Sequence, residues 1–118
     1  MGNWEDIRQR YLKDDVSVRL GGLAANLLRI SSYSDRPEHG DVVSRLVHES
    51  ALFIDWTAAD VDAERLTELA SLQRELSRWN WNWASLWSSA DSRAELSRQA
   101  GEWSQRVLEM SGLLAREP

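Results

Sequence analysis

The chain is predicted to be all-α: an up-and-down four-helix bundle with a short additional N-terminal helix, forming one domain over residues 1–118. Three observations predict this. Apolar residues recur at spacings of three and four along nearly the whole chain. The breaks between these runs are short and rich in Gly, Pro, Asp and Ser. With 118 residues and no cysteine, the core must come from packing alone.

The elements follow in order. Trp4, Ile7 and Tyr11 mark a first helix over about residues 3–13, with Asn3 as its cap. Asp14-Asp15 interrupts the pattern. A second helix follows over about 16–32, with Val16, Leu20, Leu23, Leu27 and Ile30 on one face. Gly21 and Gly22 each cost about 1 kcal/mol there relative to alanine. Close approach of a neighbouring helix, or of the first segment, would offset that cost, with Ala24 and Ala25 extending the small surface. The run Ser34-Asp-Arg-Pro-Glu-His-Gly40 reads as a loop.

Asp41 is expected to cap a third helix over 42–58, whose wide stripe comprises Val42, Val43, Leu46, Val47, Phe53, Ile54 and Trp56. Thr57 to Asp60 forms a short connection, with Asp60 as the next cap. Four of the seven tryptophans then fall in Trp79-Asn-Trp-Asn-Trp-Ala-Ser-Leu-Trp87, where local alternation imitates a strand. The steps Leu69, Leu72, Leu76, Trp79, Trp83 and Leu86 instead predict one unbroken helix over 61–88, about 42 Å long.

Ser92 and Glu95 have the spacing of a capping box for a last helix over 91–115. Its seam is Leu96, Ala100, Trp103, Val107, Met110 and Leu114. Two long seams joined by a few residues predict an antiparallel hairpin, and the second and third helices predict a shorter one. Gln73 and Asn80, beside the fourth helix's seam, read as register-setting groups. Arg116-Glu117-Pro118 reads as a frayed tail.

Composition narrows the function classes. A net charge of −5 disfavours a protein that neutralises many nucleic-acid phosphates. Lys13 is the single lysine, an arginine bias read as genomic in preference to a need for bidentate guanidinium groups. The absence of cysteine removes thiolate catalysis and cysteine-ligated zinc. No apolar run reaches the length of a membrane span, and no secretory signal is recognised. Gly2 has the myristoylation position, but Asp6 stands where that motif requires Ser or Thr. The expectation is a cytoplasmic protein with no membrane association.

Searches for chemistry return no catalytic residue, metal site or cofactor. A carboxylate-bridged di-iron bundle needs Glu-x-x-His motifs. His39 and His48 are preceded at that spacing by Arg36 and Arg45. The Arg-x4–6-His motif of HEPN-type ribonucleases is also unmet, because Arg45-Leu-Val-His48 has only two intervening residues. No P-loop or dinucleotide fingerprint exists, since Gly21-Gly22 lies inside a helix. Ser85, Ser88, Ser89 and Ser92 read as helix end, turn and cap.

Two polar patterns remain. Arg19, Gly22, Asn26, Arg29 and Tyr33 form one stripe on the second helix. With His48, the residues Arg19, Asn26 and Arg29 are candidates for holding a carboxylate or phosphate. The alternative is a salt-bridge network with Asp55, Glu49 or Asp15. Trp81 lies about 200° around the fourth helix from Trp79 and Trp83, on an outer face with Arg74 and Arg78. Trp4, Ile7 and Tyr11 cover it, or it anchors a partner interface, or it is simply exposed beside the arginines as a cation–π pair. The leading expectation is therefore a non-enzymatic bundle acting through a protein partner or as a homodimer, with a small anionic-ligand or phosphate-binding protein as the alternative.

The stretches Val18-Arg-Leu-Gly-Gly-Leu-Ala-Ala-Asn-Leu-Leu-Arg-Ile30, Phe53-Ile-Asp-Trp-Thr57 and Glu102-Trp-Ser-Gln-Arg-Val-Leu-Glu-Met-Ser-Gly-Leu-Leu114 resemble a family of small all-helical cyanobacterial proteins. The resemblance covers nearly the whole chain. It implies a helical fold and no particular activity, and it carries over no site residue.

Overall fold

A computed structural model describes residues 3–116, and the side chains of residues 4–115. Its helices are α1 (Asn3–Leu12), α2 (Val16–Tyr33), α3 (Gly40–Thr57), α4 (Ala63–Trp81), α5 (Trp83–Trp87) and α6 (Ala90–Ser111). Short 3-10 turns occur at Pro37–His39, Ala58–Asp60 and Leu114–Arg116. Every regular element among the described residues is helical. The expectations for Gly2, for the side chain of Asn3 and for the end at Glu117 and Pro118 lie outside the described residues.

The helix ends obey capping chemistry at positions other than some of those expected. Asp15 accepts the Val18 N–H at 2.9 Å, Asp62 accepts that of Arg65 at 2.9 Å, and Ser89 accepts that of Ser92 at 3.1 Å. A cap needs extended backbone so that its side chain can fold over the first turn. Asp62 has that conformation, whereas Asp60 lies in a 3-10 turn and does not cap. Asp41 is likewise inside the first turn, because α3 starts at Gly40 directly after another 3-10 turn. The Ser92–Glu95 box does not form: Ser89 is the cap, and Glu95 pairs with Arg98. At the far end Gly112 has φ +80°, the left-handed conformation that terminates α6 before residue 115.

The long fourth helix is the largest correction. It breaks at Asn82, whose backbone N–H and side-chain Nδ2 both donate to the Arg78 carbonyl, at 3.1 and 3.0 Å. The N–H bond is the regular ladder bond, and the side-chain amide competes with it for the same carbonyl. The helix restarts at Trp83, with the Leu86 N–H bonded to the Asn82 carbonyl. Leu69, Leu72, Leu76 and Trp79 are buried as the seam predicts, while Trp83 and Leu86 are half-buried.

The apolar face of α2 is almost fully enclosed: Leu20, Leu23, Leu27 and Ile30 have no accessible surface. From α3 the core takes Val43, Val47, Phe53 and Ile54, and from α6 Leu96, Ala100 and Val107. Val42 departs from the expected stripe and is exposed. Leu114, expected in the α6 seam, is also exposed, in the 3-10 turn beyond Gly112.

The closest pair of helices is α2 and α6, running antiparallel. Small residues permit it. Ser31 and Ser97 each donate to the other's carbonyl at 2.7 Å, Ser104 donates to Ala24 O at 2.8 Å, and Gly101 faces Ser31. Gly21 meets Leu113 beyond α6, and Gly22 lies beneath Tyr11 and Phe53, so both glycines face close neighbours. The expected pairing of the fourth and last helices is looser. Arg106 bonds Glu68, and Gln99 accepts from Arg78 and Trp79, but the nearest backbone to α4 belongs to α3. Gln73 Nε2 ties α4 to α3 through Ala51 O and Asp55, at 3.1 and 2.9 Å. Among the described residues no helix is long and apolar enough to cross a membrane.

Candidate functional site

The outward face of α4 follows from the same phase that buries its seam. With Leu69, Leu72, Leu76 and Trp79 turned inward, the positions of Ala70, Arg74, Ser77, Arg78 and Trp81 must face out. Trp81 is 87 % exposed. The first helix does not cover it. Trp4 instead packs edge-on against His48 and lies under the Arg45 guanidinium, while Tyr11 stacks on Phe53. Trp81 and Arg74 belong to an open groove of about 740 Å³ whose other walls are Ala70, Gln73, Ser77, Arg78 and Asn82.

The two arginines differ in their surroundings. Among the described residues the Arg74 guanidinium hydrogen-bonds only the Ser71 hydroxyl, at 3.3 Å. Arg78 donates to Glu75 at 2.7 Å and to Gln99 at 3.1 Å, and the Glu75 hydrogen bond holds its pKa above the usual arginine range. A second cleft, of about 450 Å³, shares Arg78 and Asn82 with the first. It lies over Leu86 and Leu96 and carries the carboxylates of Asp91 and Glu95. Hydrogen bonds from Arg98 lower the Glu95 pKa, so Glu95 stands ionised and paired with Arg98.

The second-helix stripe is occupied by the chain's own groups. Arg19 is buried, donating to the Asp14 carbonyl at 2.9 Å and to Asp60 at 2.8 Å. The Asn26 amide donates to Glu49 at 3.0 Å and accepts from Arg29 at 2.9 Å. Only the Arg19–Asp60 contact is an ion pair, and its acid is Asp60 where Asp55, Glu49 or Asp15 was expected; Arg29 bonds the neutral Asn26 amide. Asp15 caps α2 and Asp55 binds Gln73. His48 is exposed beside Trp4 and shares a shallow cavity with Leu76, Ser77 and Asn80. That cavity lies between α3 and α4, whereas Asn26 meets α3 through Glu49.

Arg19 also anchors a buried polar knot. The Tyr11 hydroxyl donates to the Arg19 carbonyl at 2.8 Å and accepts from Thr57 at 3.3 Å. Burial pushes the Tyr11 phenol up to about 12, against the Thr57 hydrogen bond and the Arg19 charge, which lower it. A phenol whose folded pKa exceeds its unfolded value of 10.0 favours folding while neutral. That contribution is complete below pH 10.0 and is lost as pH rises towards about 12. Stability is expected to fall across this window by about 1.4 kcal/mol per pH unit. Tyr11→Phe should flatten that decline in urea titrations, and an equally steep decline in the variant would contradict it.

The tryptophan run contains a contact that sequence reading missed. Trp83 and Trp87 stack with centroids 5.1 Å apart, and Trp87 Nε1 donates to the Pro37 carbonyl at 2.9 Å. Gly40 sits directly under that indole. The only sequence signal was a glycine opening a helix after a proline turn. Among the described residues no group of three or more His, Asp or Glu side chains is placed to hold a metal ion. No protein-family model, curated protein or solved structure matches the chain.

Proposed function

We propose that this chain is a non-enzymatic interaction protein of the cytoplasm, docking a protein surface on the Trp81 face of α4. The supporting observation is the 87 % exposure of Trp81 beside two arginines in an open groove. Tryptophan and arginine are the residue types that dominate binding energy when an interface covers them. The scaffold is read as an up-and-down four-helix bundle of α2, α3, α4 and α6, with α1 as the additional helix. Antiparallel contacts from α6 to α2, α2 to α3 and α3 to α4 support that reading.

The anionic-ligand alternative has less support, because Asp60 and Glu49 already take the hydrogen bonds of Arg19 and Asn26. The resemblance to small helical cyanobacterial proteins transfers no activity. Affinity capture from the native cell with wild type and Trp81→Ala tests the docking face. A protein retained by the first and lost by the second is the expected result. Identical captured sets, with an unchanged monomeric sedimentation profile, would overturn it.

A further inference from the structure

Resting on that reading of the Trp81 face, we propose that its occupant is an acidic amphipathic helix of another protein. The shape of the face argues for a helix. Ala70, Arg74, Ser77 and Trp81 lie at steps of four, three and four, so the groove runs along a single helical ridge. Ala70 and Ser77 keep that ridge low, which lets a second helix approach to the usual 8–10 Å or so. Trp81 stands at one end of this open face as an apolar anchor for a helix laid alongside α4.

Charge argues for acidity. The groove carries two guanidinium groups and no carboxylate, on a chain whose net charge is −5. Arg74 has no carboxylate within ion-pair distance among the described residues, its contact being the neutral Ser71 hydroxyl. The Arg78 side chain is 48 % exposed, so its guanidinium can still reach outward beyond Glu75. Carboxylates on a docked helix would therefore meet one unneutralised and one partly neutralised cation.

The same groups disfavour the other occupants. A second copy laid antiparallel about the middle of the ridge would bring each Trp81 over the other copy's Ala70. It would also set Arg74 and Arg78 of each copy against those of the other, and like charges across an interface are costly. A nucleic acid needs several phosphates neutralised along its length, and the groove offers only the guanidinium groups of Arg74 and Arg78.

Three labelled helical peptides test the proposal, sharing one leucine stripe and carrying Glu, Gln or Lys at the flanking positions. Fluorescence anisotropy with the intact protein should show the Glu peptide binding at least about ten-fold more tightly than the others, or about 1.4 kcal/mol. R74E should reverse the preference towards the Lys peptide, with an unchanged circular dichroism spectrum, because among the described residues the Arg74 side chain hydrogen-bonds Ser71 alone. W81A should weaken all binding by at least about ten-fold. Equal affinities for the three peptides, still lost in W81A, would overturn the acidic partner while leaving the docking face standing. So would no binding of the Glu peptide at millimolar concentration combined with a wild-type dimer that W81A dissolves, which would assign the face to a second copy. Tighter binding of a single-stranded DNA oligomer than of the Glu peptide would overturn the proposal in favour of a nucleic acid. Binding of no peptide, with no dimer and no loss of capture in W81A, would overturn both readings.

Discussion

Replacing Trp79 with alanine is expected to lower stability by about 3–5 kcal/mol, while Trp81→Ala changes it by less than about 0.5 kcal/mol. The two residues are neighbours in the same run and share a side chain, so the contrast isolates position. Trp79 has no accessible surface, and its indole N–H bonds Gln99 at 3.3 Å. Truncation therefore opens a cavity in the apolar core, whose lining can relax only in part. Against a total stability of about 5–15 kcal/mol for a domain, this loss is large. Trp81, at 87 % exposure, leaves no cavity when it is removed. Urea denaturation of both variants checks this, and similar losses would show that Trp81 is packed rather than free.

Gly40→Ala is expected to destabilise by about 1–2 kcal/mol, against the usual direction for such a site. Gly40 has φ −54° and ψ −44°, ordinary helical values that alanine adopts without strain. Local reasoning thus gives alanine an advantage of about 0.4–1 kcal/mol, through the reduced entropy of the unfolded chain. The fold reverses the sign. A Cβ at this position would lie 2.8 Å from Trp87 Nε1 and 3.3 Å from Cδ1 and Cε2. Trp87 has little room to retreat, because its N–H holds Pro37 and its ring stacks on Trp83. In the Trp87→Phe background, where the clashing Nε1 is gone, Gly40→Ala should cost less. A coupling above about 0.5 kcal/mol in the double-mutant cycle is the expected result. A stabilising Gly40→Ala in the wild-type chain would contradict the placement of this indole.

Legibility followed the range of the determining interaction. The seams of α2, α4 and α6 could be read because burial repeats with the helical period, which any window of the sequence displays. The direction of Trp81 followed from the same phase. Cap positions were less legible: Asp60 and Asp62 are equally suited chemically, and the backbone conformation chose between them. The end of the fourth helix was misread because the three-four rhythm continues through Asn82, while the competing Asn82 side-chain bond to the Arg78 carbonyl leaves no periodic mark. For the arginine stripe, spacing showed that Arg19, Asn26 and Arg29 share a face. Which acids would meet them depended on how α3 and the turn after it lie beside α2.

Taken alone, the sequence determined that the chain is all-helical, where most of its helices run, which faces they bury and which tryptophan stands outside. Those properties depend on residues within a few turns of each other, where covalent geometry sets the distances. The tertiary structure alone decided that α6 lies closest to α2, that Arg19 is held by Asp60, that Trp87 closes over Gly40, and that Trp81 borders a groove without carboxylates. Three of these join residues 41 to 80 positions apart. No local period encodes which small or charged side chain a distant helix will bring to such a contact. It is set by how the buried faces pack together.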